Sequence, residues 1–133
     1  MIVNLTRETF MMGRDREYPT TEELEVNAAR LLHRVRKLLG KYATATGRTG
    51  IVVTVTSGYR PGHYNRGYAA ASAHLTCQAV DLHDPQSELA TWLQAHSTIL
   101  EDCALYMEDP AKTKGWVHLQ SRVTLSGKRI FTP

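Results

Sequence analysis

One long amphipathic segment near the start of the chain constrains the fold more than any other feature. It opens with Thr20-Thr21-Glu22-Glu23, where a hydroxyl group can cap a helix and the acids favour the positive end of the helix dipole. Apolar residues then recur at helical spacing from Leu24 to Leu39, and basic residues occupy the other faces. The segment therefore predicts an amphipathic helix, which Gly40 or Gly47 is expected to end.

Short apolar runs after this helix predict strands. The run 51–56 is rich in β-branched residues and predicts a buried strand. Three further strands are predicted at 78–82, 103–107 and 116–120. Asp84-Pro85 is expected to open a second helix, with the proline at its first position.

Three segments read as loops or tail. Residues 57–77 are rich in small residues without an apolar period, and long loops inside compact domains are usually functional. Residues 109–115 have the turn chemistry of a hairpin. The polar, basic tail 121–133 is expected to lie along the surface.

Composition excludes several classes of protein. A chain of 133 residues predicts one domain spanning 1–133, and a net charge of +3 is too small to indicate nucleic-acid binding. No run approaches the ~18 apolar residues that a membrane span needs, so no membrane insertion is expected. The charged N-terminal segment does not resemble a secretory signal, which predicts cytoplasmic synthesis. Cys77 and Cys103 are expected to be two buried thiols rather than a disulfide.

Two histidines and one acid stand out as candidate metal ligands. His74 lies in the small-residue loop, Asp81 in the following strand, and His118 in the last apolar strand. Two histidines and a carboxylate form a three-ligand zinc set with a fourth position open for water or substrate. On residue types alone, a hydrogen-bonded core histidine is the commoner explanation of His118.

Three blocks of sequence resemble one enzyme family. The run 72–81, Ser-Ala-His-Leu-Thr-Cys-Gln-Ala-Val-Asp, resembles the Ser-x-His-x-x-Gly-x-Ala-x-Asp motif of the zinc D-Ala-D-Ala carboxypeptidases and L-alanyl-D-glutamate endopeptidases of peptidase family M15. Ser57-Gly58-Tyr59-Arg60 is similar to an upstream segment of that family, and Trp116-Val117-His118 to its last ligand strand. The order of the blocks makes the resemblance more specific than a single motif.

The resemblance implies a fold and a set of site residues. The fold is α+β, with a small, mostly antiparallel sheet and flanking helices, as in the Hedgehog and D,D-peptidase domains. His74, Asp81 and His118 are implied as zinc ligands. Arg60 is implied to bind a substrate carboxylate, since a guanidinium pairs with it bidentately. Ser72 and Asn65 are candidates for substrate binding or for bonding the loop backbone.

The chain departs from the family motifs at two positions. Cys77 replaces a glycine, which predicts an altered loop backbone and a thiol that is a rival ligand. Gly115 stands where many members have a catalytic glutamate, and Gln120 stands where others have an acid. Glu108 is a candidate base if a hairpin brings it close to Gly115; a solvated turn acid is the alternative.

His83 is a further candidate as base, ligand or transition-state stabiliser, because it shares a strand face with Asp81. Together these features predict a monomeric zinc metallopeptidase that hydrolyses peptidoglycan stem peptides. We expect a phage-type enzyme that reaches the bacterial cell wall by release or in the virion. The alternative is a non-catalytic, zinc-containing virion or peptidoglycan-binding domain of the same fold.

Overall fold

The computed structural model describes all residues, Met1–Pro133, and contains both helices and strands. The helices are α1 (Arg7–Met11), α2 (Glu22–Ala45), α3 (Glu88–Ala95) and α4 (Thr98–Asp102). The strands are β1 (Ile2–Val3), β2 (Ile51–Val52), β3 (Val55–Ser57), β4 (Ala79–His83), β5 (Tyr106–Glu108), β6 (Trp116–Gln120) and β7 (Ile130–Phe131). None of the helices is both long enough and apolar enough to cross a bilayer.

The main sheet has five strands in the order β3-β4-β6-β5-β7. Every neighbouring pair is antiparallel except β5 and β7, which run parallel. A second, two-stranded sheet pairs β1 with β2 in parallel. The predicted α+β class, with a mostly antiparallel sheet and flanking helices, is confirmed.

The long amphipathic helix forms as predicted. Thr21 is its N-cap, and its hydroxyl accepts a hydrogen bond from the backbone N–H of Leu24 at 3.2 Å. Gly40 lies inside the helix, and Gly47, with φ of 70°, follows its end. One face of α2 is fully buried, from Ala28 to Ala43. Helix α2 therefore supplies one side of the hydrophobic core.

The sheet supplies the other side of the core through alternate residues. Val80 and Leu82 of β4 and Val117 and Leu119 of β6 belong to the same buried cluster as the α2 leucines. Because side chains alternate across a strand, Asp81 of β4 and His118, its partner in β6, point to the opposite face. That second face of the sheet carries the polar residues.

Two local predictions were wrong. The run 51–56 forms two short strands in different sheets, because β2 pairs with β1 whereas β3 pairs with β4. Helix α3 begins at Glu88 instead of at Pro85, and the Asp84 carboxylate accepts hydrogen bonds from the N–H groups of Leu89 and Ala90. Asp84 therefore caps the N-terminus of α3 with its side chain, from a position four residues before the first helical residue.

The last residues do more than follow the surface. Strand β7 adds an edge to the sheet, since Met107 N–H donates to Arg129 O at 2.7 Å and Asp109 N–H to Phe131 O at 2.7 Å. Segment 121–133 thereby comes to lie beside the polar face of the sheet.

Candidate metal centre

The polar face of the sheet carries a row of functional side chains. Asp81 of β4 is directly opposite His118 of β6, and Ser57 of β3 is paired with Asp81 on the other side. Directly opposed residues of antiparallel strands project to the same face. Strand pairing alone thus places two of the three predicted ligands side by side.

The third predicted ligand arrives from the loop before β4. His74 Nε2 lies 3.3 Å from Asp81 Oδ1, and His118 Nδ1 lies 2.9 Å from the same oxygen. One ligand atom from each residue lies within 4.8 Å of the others. His74 is buried, and Asp81 and His118 are nearly so. These three residues form a compact N,N,O cluster.

Hydrogen bonding shows that the cluster suits a metal ion. His74 Nδ1 lies 2.8 Å from Gly58 O, and a carbonyl can only accept, so this nitrogen carries the proton. His74 Nε2 is then the ring nitrogen that faces Asp81 and that a metal ion would take. Orientation of a ligating histidine by a carbonyl bonded to its other nitrogen is usual in metal sites. Two imidazoles and a carboxylate suit a divalent metal such as zinc.

The charges in the cluster stabilise one another. Burial by itself would raise the pKa of Asp81, but hydrogen bonds from His118 and His74 outweigh it and the net shift is downward. Burial acts to lower the pKa of His118, and the hydrogen bond with Asp81 outweighs it, so that pKa is raised. Asp81 is therefore a carboxylate at neutral pH, as a metal ligand must be.

The loop that carries His74 is held by a short 3₁₀ turn, Ala73–Thr76. Ser72 caps the turn, since its hydroxyl accepts from the His74 N–H at 3.2 Å. Arg60 N–H donates to His74 O at 3.2 Å, which ties this loop to the 57–60 turn. Both backbone and ring of His74 are thus bonded to the turn that carries Arg60.

Cys77 ends that turn in the left-handed conformation, with φ of 57°. The expected change of loop backbone was therefore wrong: Cys77 adopts the conformation open to a glycine, at a cost of about 1 kcal/mol. The thiol is not a rival ligand either, because it is fully buried in the hydrophobic core. Burial raises the pKa of Cys77 to about 12. Cys77 and Cys103 are free and buried, as predicted.

Arg60 is buried beside the cluster, with 7% of its surface exposed. Its Nε donates to Asn65 Oδ1 at 3.3 Å and its Nη2 to Ser72 Oγ at 3.1 Å, and its guanidinium lies 3.7 Å over the Tyr68 ring. Asn65 and Ser72 thus hold the Arg60 side chain in place. This contact is a structural one, as in the alternative to substrate binding that the sequence left open for these two residues. The guanidinium lines the same cleft as the three candidate ligands.

Glu108 reaches the site by a different register from the one expected. Met107 of β5 pairs with Leu119 of β6, so the next residue, Glu108, lies opposite His118 instead of Gly115. The segment between these strands contains a 3₁₀ turn, Pro110–Lys112, rather than a tight hairpin. Burial raises the pKa of Glu108, and the charge of His118 opposes that shift. Glu108 lines the cleft, so it is not a solvated turn acid.

His83 is placed apart from this group. It is exposed, lies opposite Trp116 at the end of β4, and is absent from the residues that line the cleft. It borders a smaller depression together with Asp84 and Glu88.

The other predicted site residues except Asn65 border one cleft of about 620 Å³. His74, Asp81 and His118 line this cleft together with Arg60 and Glu108. Much of one wall comes from the tail, where Val123 and Leu125 are exposed and Phe131 lies 6.0 Å from the His118 ring. Sequence analysis missed this wall and also Tyr68, since a polar tail and a loop tyrosine have no pattern that signals a site.

The order of the motifs and the geometry of the cluster agree with a comparison against protein-family models. Residues 5–120 match the model described as Peptidase M15. The chain belongs to the peptidase M15 family. No curated protein and no solved structure was found to match it. The match ends at Gln120, so the tail wall of the cleft lies outside the part that the family model describes.

Proposed function

We propose that this M15 family member is a zinc metallopeptidase that hydrolyses stem peptides of bacterial peptidoglycan. The observation that carries the proposal is the convergence of His74, Asp81 and His118 in one cleft that Arg60 and Glu108 also line. Two histidines and one carboxylate are a ligand set of catalytic zinc sites, which keep one position open.

Each residue around the cluster has a chemical role in peptide hydrolysis. When bound, zinc polarises the scissile carbonyl and lowers the pKa of a water molecule to about 7. The Glu108 carboxylate accepts a proton from the attacking water as the C–O bond forms, and returns it to the amine nitrogen as the C–N bond breaks. Its position opposite His118 puts it on the same face as the ligands.

Arg60 supplies the specificity for an anionic peptide. Its Nε and one Nη2 proton are used by Asn65 and Ser72, while Nη1 has no protein acceptor. The remaining N–H groups are free to bind a carboxylate close to the scissile bond. Stem peptides offer such a carboxylate both at a D-alanine terminus and at D-glutamate, so carboxypeptidase and endopeptidase activity both remain compatible with this arrangement.

The proposal is tested with purified peptidoglycan and synthetic stem peptides, before and after treatment with a chelator. We expect hydrolysis that stops on chelation and returns with zinc, with mass spectrometry of the products identifying the bond cut. His118→Ala should abolish tight zinc binding and hydrolysis together. His83→Ala tests whether His83 acts as a base or as a transition-state stabiliser, the roles also predicted for it. Tight zinc binding without turnover of any peptide would instead favour the non-catalytic wall-binding domain.

We further propose that the enzyme is of the phage type. A phage-type enzyme reaches the wall after release from the cell or as part of the virion. Adding the purified protein to intact bacteria, and separately to bacteria with a permeabilised membrane, tests from which side it reaches the wall. Lysis of intact cells supports access from outside, whereas lysis only after permeabilisation supports access from inside the cell.

A further inference from the structure

The side chain of Gln120 is held in a single orientation beside the metal centre. Gln120 is the last residue of β6, and it is buried, with 7% of its surface exposed, although its side chain is polar. Its Nε2 donates to the backbone carbonyl of Arg122 at 2.9 Å. A carbonyl oxygen cannot donate, so the amide nitrogen must face Arg122 and the amide oxygen must face the other way.

The other way is toward His118. Gln120 Oε1 lies 2.8 Å from His118 Nε2, and an amide oxygen only accepts. His118 Nε2 therefore carries a proton, and the nitrogen 2.9 Å from Asp81, Nδ1, is the one available to a metal. The same logic applies to His74, whose Nδ1 donates to Gly58 O and whose Nε2 faces Asp81.

The carbonyl that orients Gln120 is itself anchored. The Arg122 guanidinium donates to Ala71 O at 2.6 Å, to Thr76 Oγ1 at 2.7 Å and to Gln78 Oε1 at 3.3 Å. These bonds connect the end of β6 to the loop that carries His74. The acceptor for His118 is thus fixed relative to both neighbouring ligands.

We propose that Gln120 is a positioning residue of the metal centre, which holds His118 in the Nε2–H tautomer with Nδ1 directed at the metal. The inference rests on the metal site of the proposed function. It assigns a role to a position where the sequence comparison had indicated only a missing acid. Hydrogen-bond partners of this kind typically contribute 10- to 100-fold to metal affinity.

Two variants separate the acceptor from the packing. Gln120→Met keeps a side chain of similar length without a hydrogen-bond acceptor. Gln120→Glu keeps an acceptor for His118 Nε2–H, as in carboxylate–histidine–metal arrangements, although it loses the N–H donated to Arg122 O. Zinc affinity is measured by competition with a chromophoric chelator, and thermal melting of the metal-free proteins reports folding. We expect Gln120→Met to weaken zinc binding roughly 10- to 100-fold and Gln120→Glu to stay within a few-fold of wild type. Equal effects of both variants, or none from Gln120→Met, would overturn the role.

A measurement on the wild type avoids dependence on the folding of any variant. Long-range ¹H–¹⁵N spectra of the zinc-loaded protein identify which ring nitrogen of His118 bears the proton. A proton on Nε2 supports the proposal, and a proton on Nδ1 overturns it. If the wild type does not bind zinc, the proposed metal site itself fails, which is a different result from normal zinc binding by Gln120→Met.

Discussion

Substitution of Gly58 by alanine tests how closely the N-terminal helix approaches the turn of the metal centre. An added Cβ at Gly58 would lie 2.1 Å from the carbonyl oxygen of Phe10, which is backbone and cannot rotate away. That oxygen also accepts from the Tyr59 N–H at 3.1 Å, so relieving the overlap breaks this hydrogen bond. Overpacking of about 1–3 kcal/mol and a lost hydrogen bond of about 1 kcal/mol predict a destabilisation of about 2–4 kcal/mol.

Thermal melting of the metal-free protein measures this effect. A domain of this size loses roughly 3–5 °C in Tm for each kcal/mol, so Gly58→Ala should lower Tm by roughly 10 °C. Zinc affinity should fall as well, because the Gly58 carbonyl orients His74 at 2.8 Å. The matched control is Gly40→Ala inside α2, where an added Cβ meets nothing within 4 Å. That change should stabilise the protein by about 0.5–1 kcal/mol. A Gly58→Ala protein that melts within about 2 °C of wild type would refute the close-approach argument.

Three further predictions concern the cleft and the buried thiols. Glu108→Gln should lower kcat by roughly 10²–10⁴-fold with zinc affinity nearly unchanged, while Asp109→Asn, at the neighbouring acid, should change kcat less than a few-fold. Arg60→Ala should raise KM for peptides with a carboxylate near the cut by an amount equivalent to about 2–4 kcal/mol, and Arg60→Lys should recover only part of this loss. Arg66→Ala, at an exposed arginine of the same loop, serves as the control and should leave KM unchanged. Because burial raises the pKa of Cys77 to about 12, this thiol should not react with a disulfide reagent in the native protein at pH 8. Denaturant should expose the thiol to the reagent, and rapid labelling of Cys77 in the folded protein would contradict its burial.

Local chemistry determined those parts of the fold whose signal lies within a few consecutive residues. The hydroxyl cap at Thr21 and the helical spacing after it specified α2, and alternating side chains specified β4 and β6. The metal ligands were nominated by the resemblance of the 72–81 and 116–118 blocks to the motifs of the family, since residue types alone left a core histidine as an alternative for His118. These features depend on backbone geometry and periodicity, which are written in the order of residues.

Strand register and long-range packing could be decided only by the tertiary structure. Glu108 lies opposite His118 and not Gly115, because the turn between β5 and β6 is longer than a tight hairpin and shifts the pairing. Cys77 accepts a left-handed backbone because the buried core around it compensates a strain of about 1 kcal/mol. The tail becomes a wall of the cleft because β7 pairs with β5, residues more than twenty positions away. The amide of Gln120 acquires its orientation from Arg122, which the loop of His74 holds in place. Each of these outcomes depends on contacts between residues distant in sequence, and a single sequence carries no local signal for them.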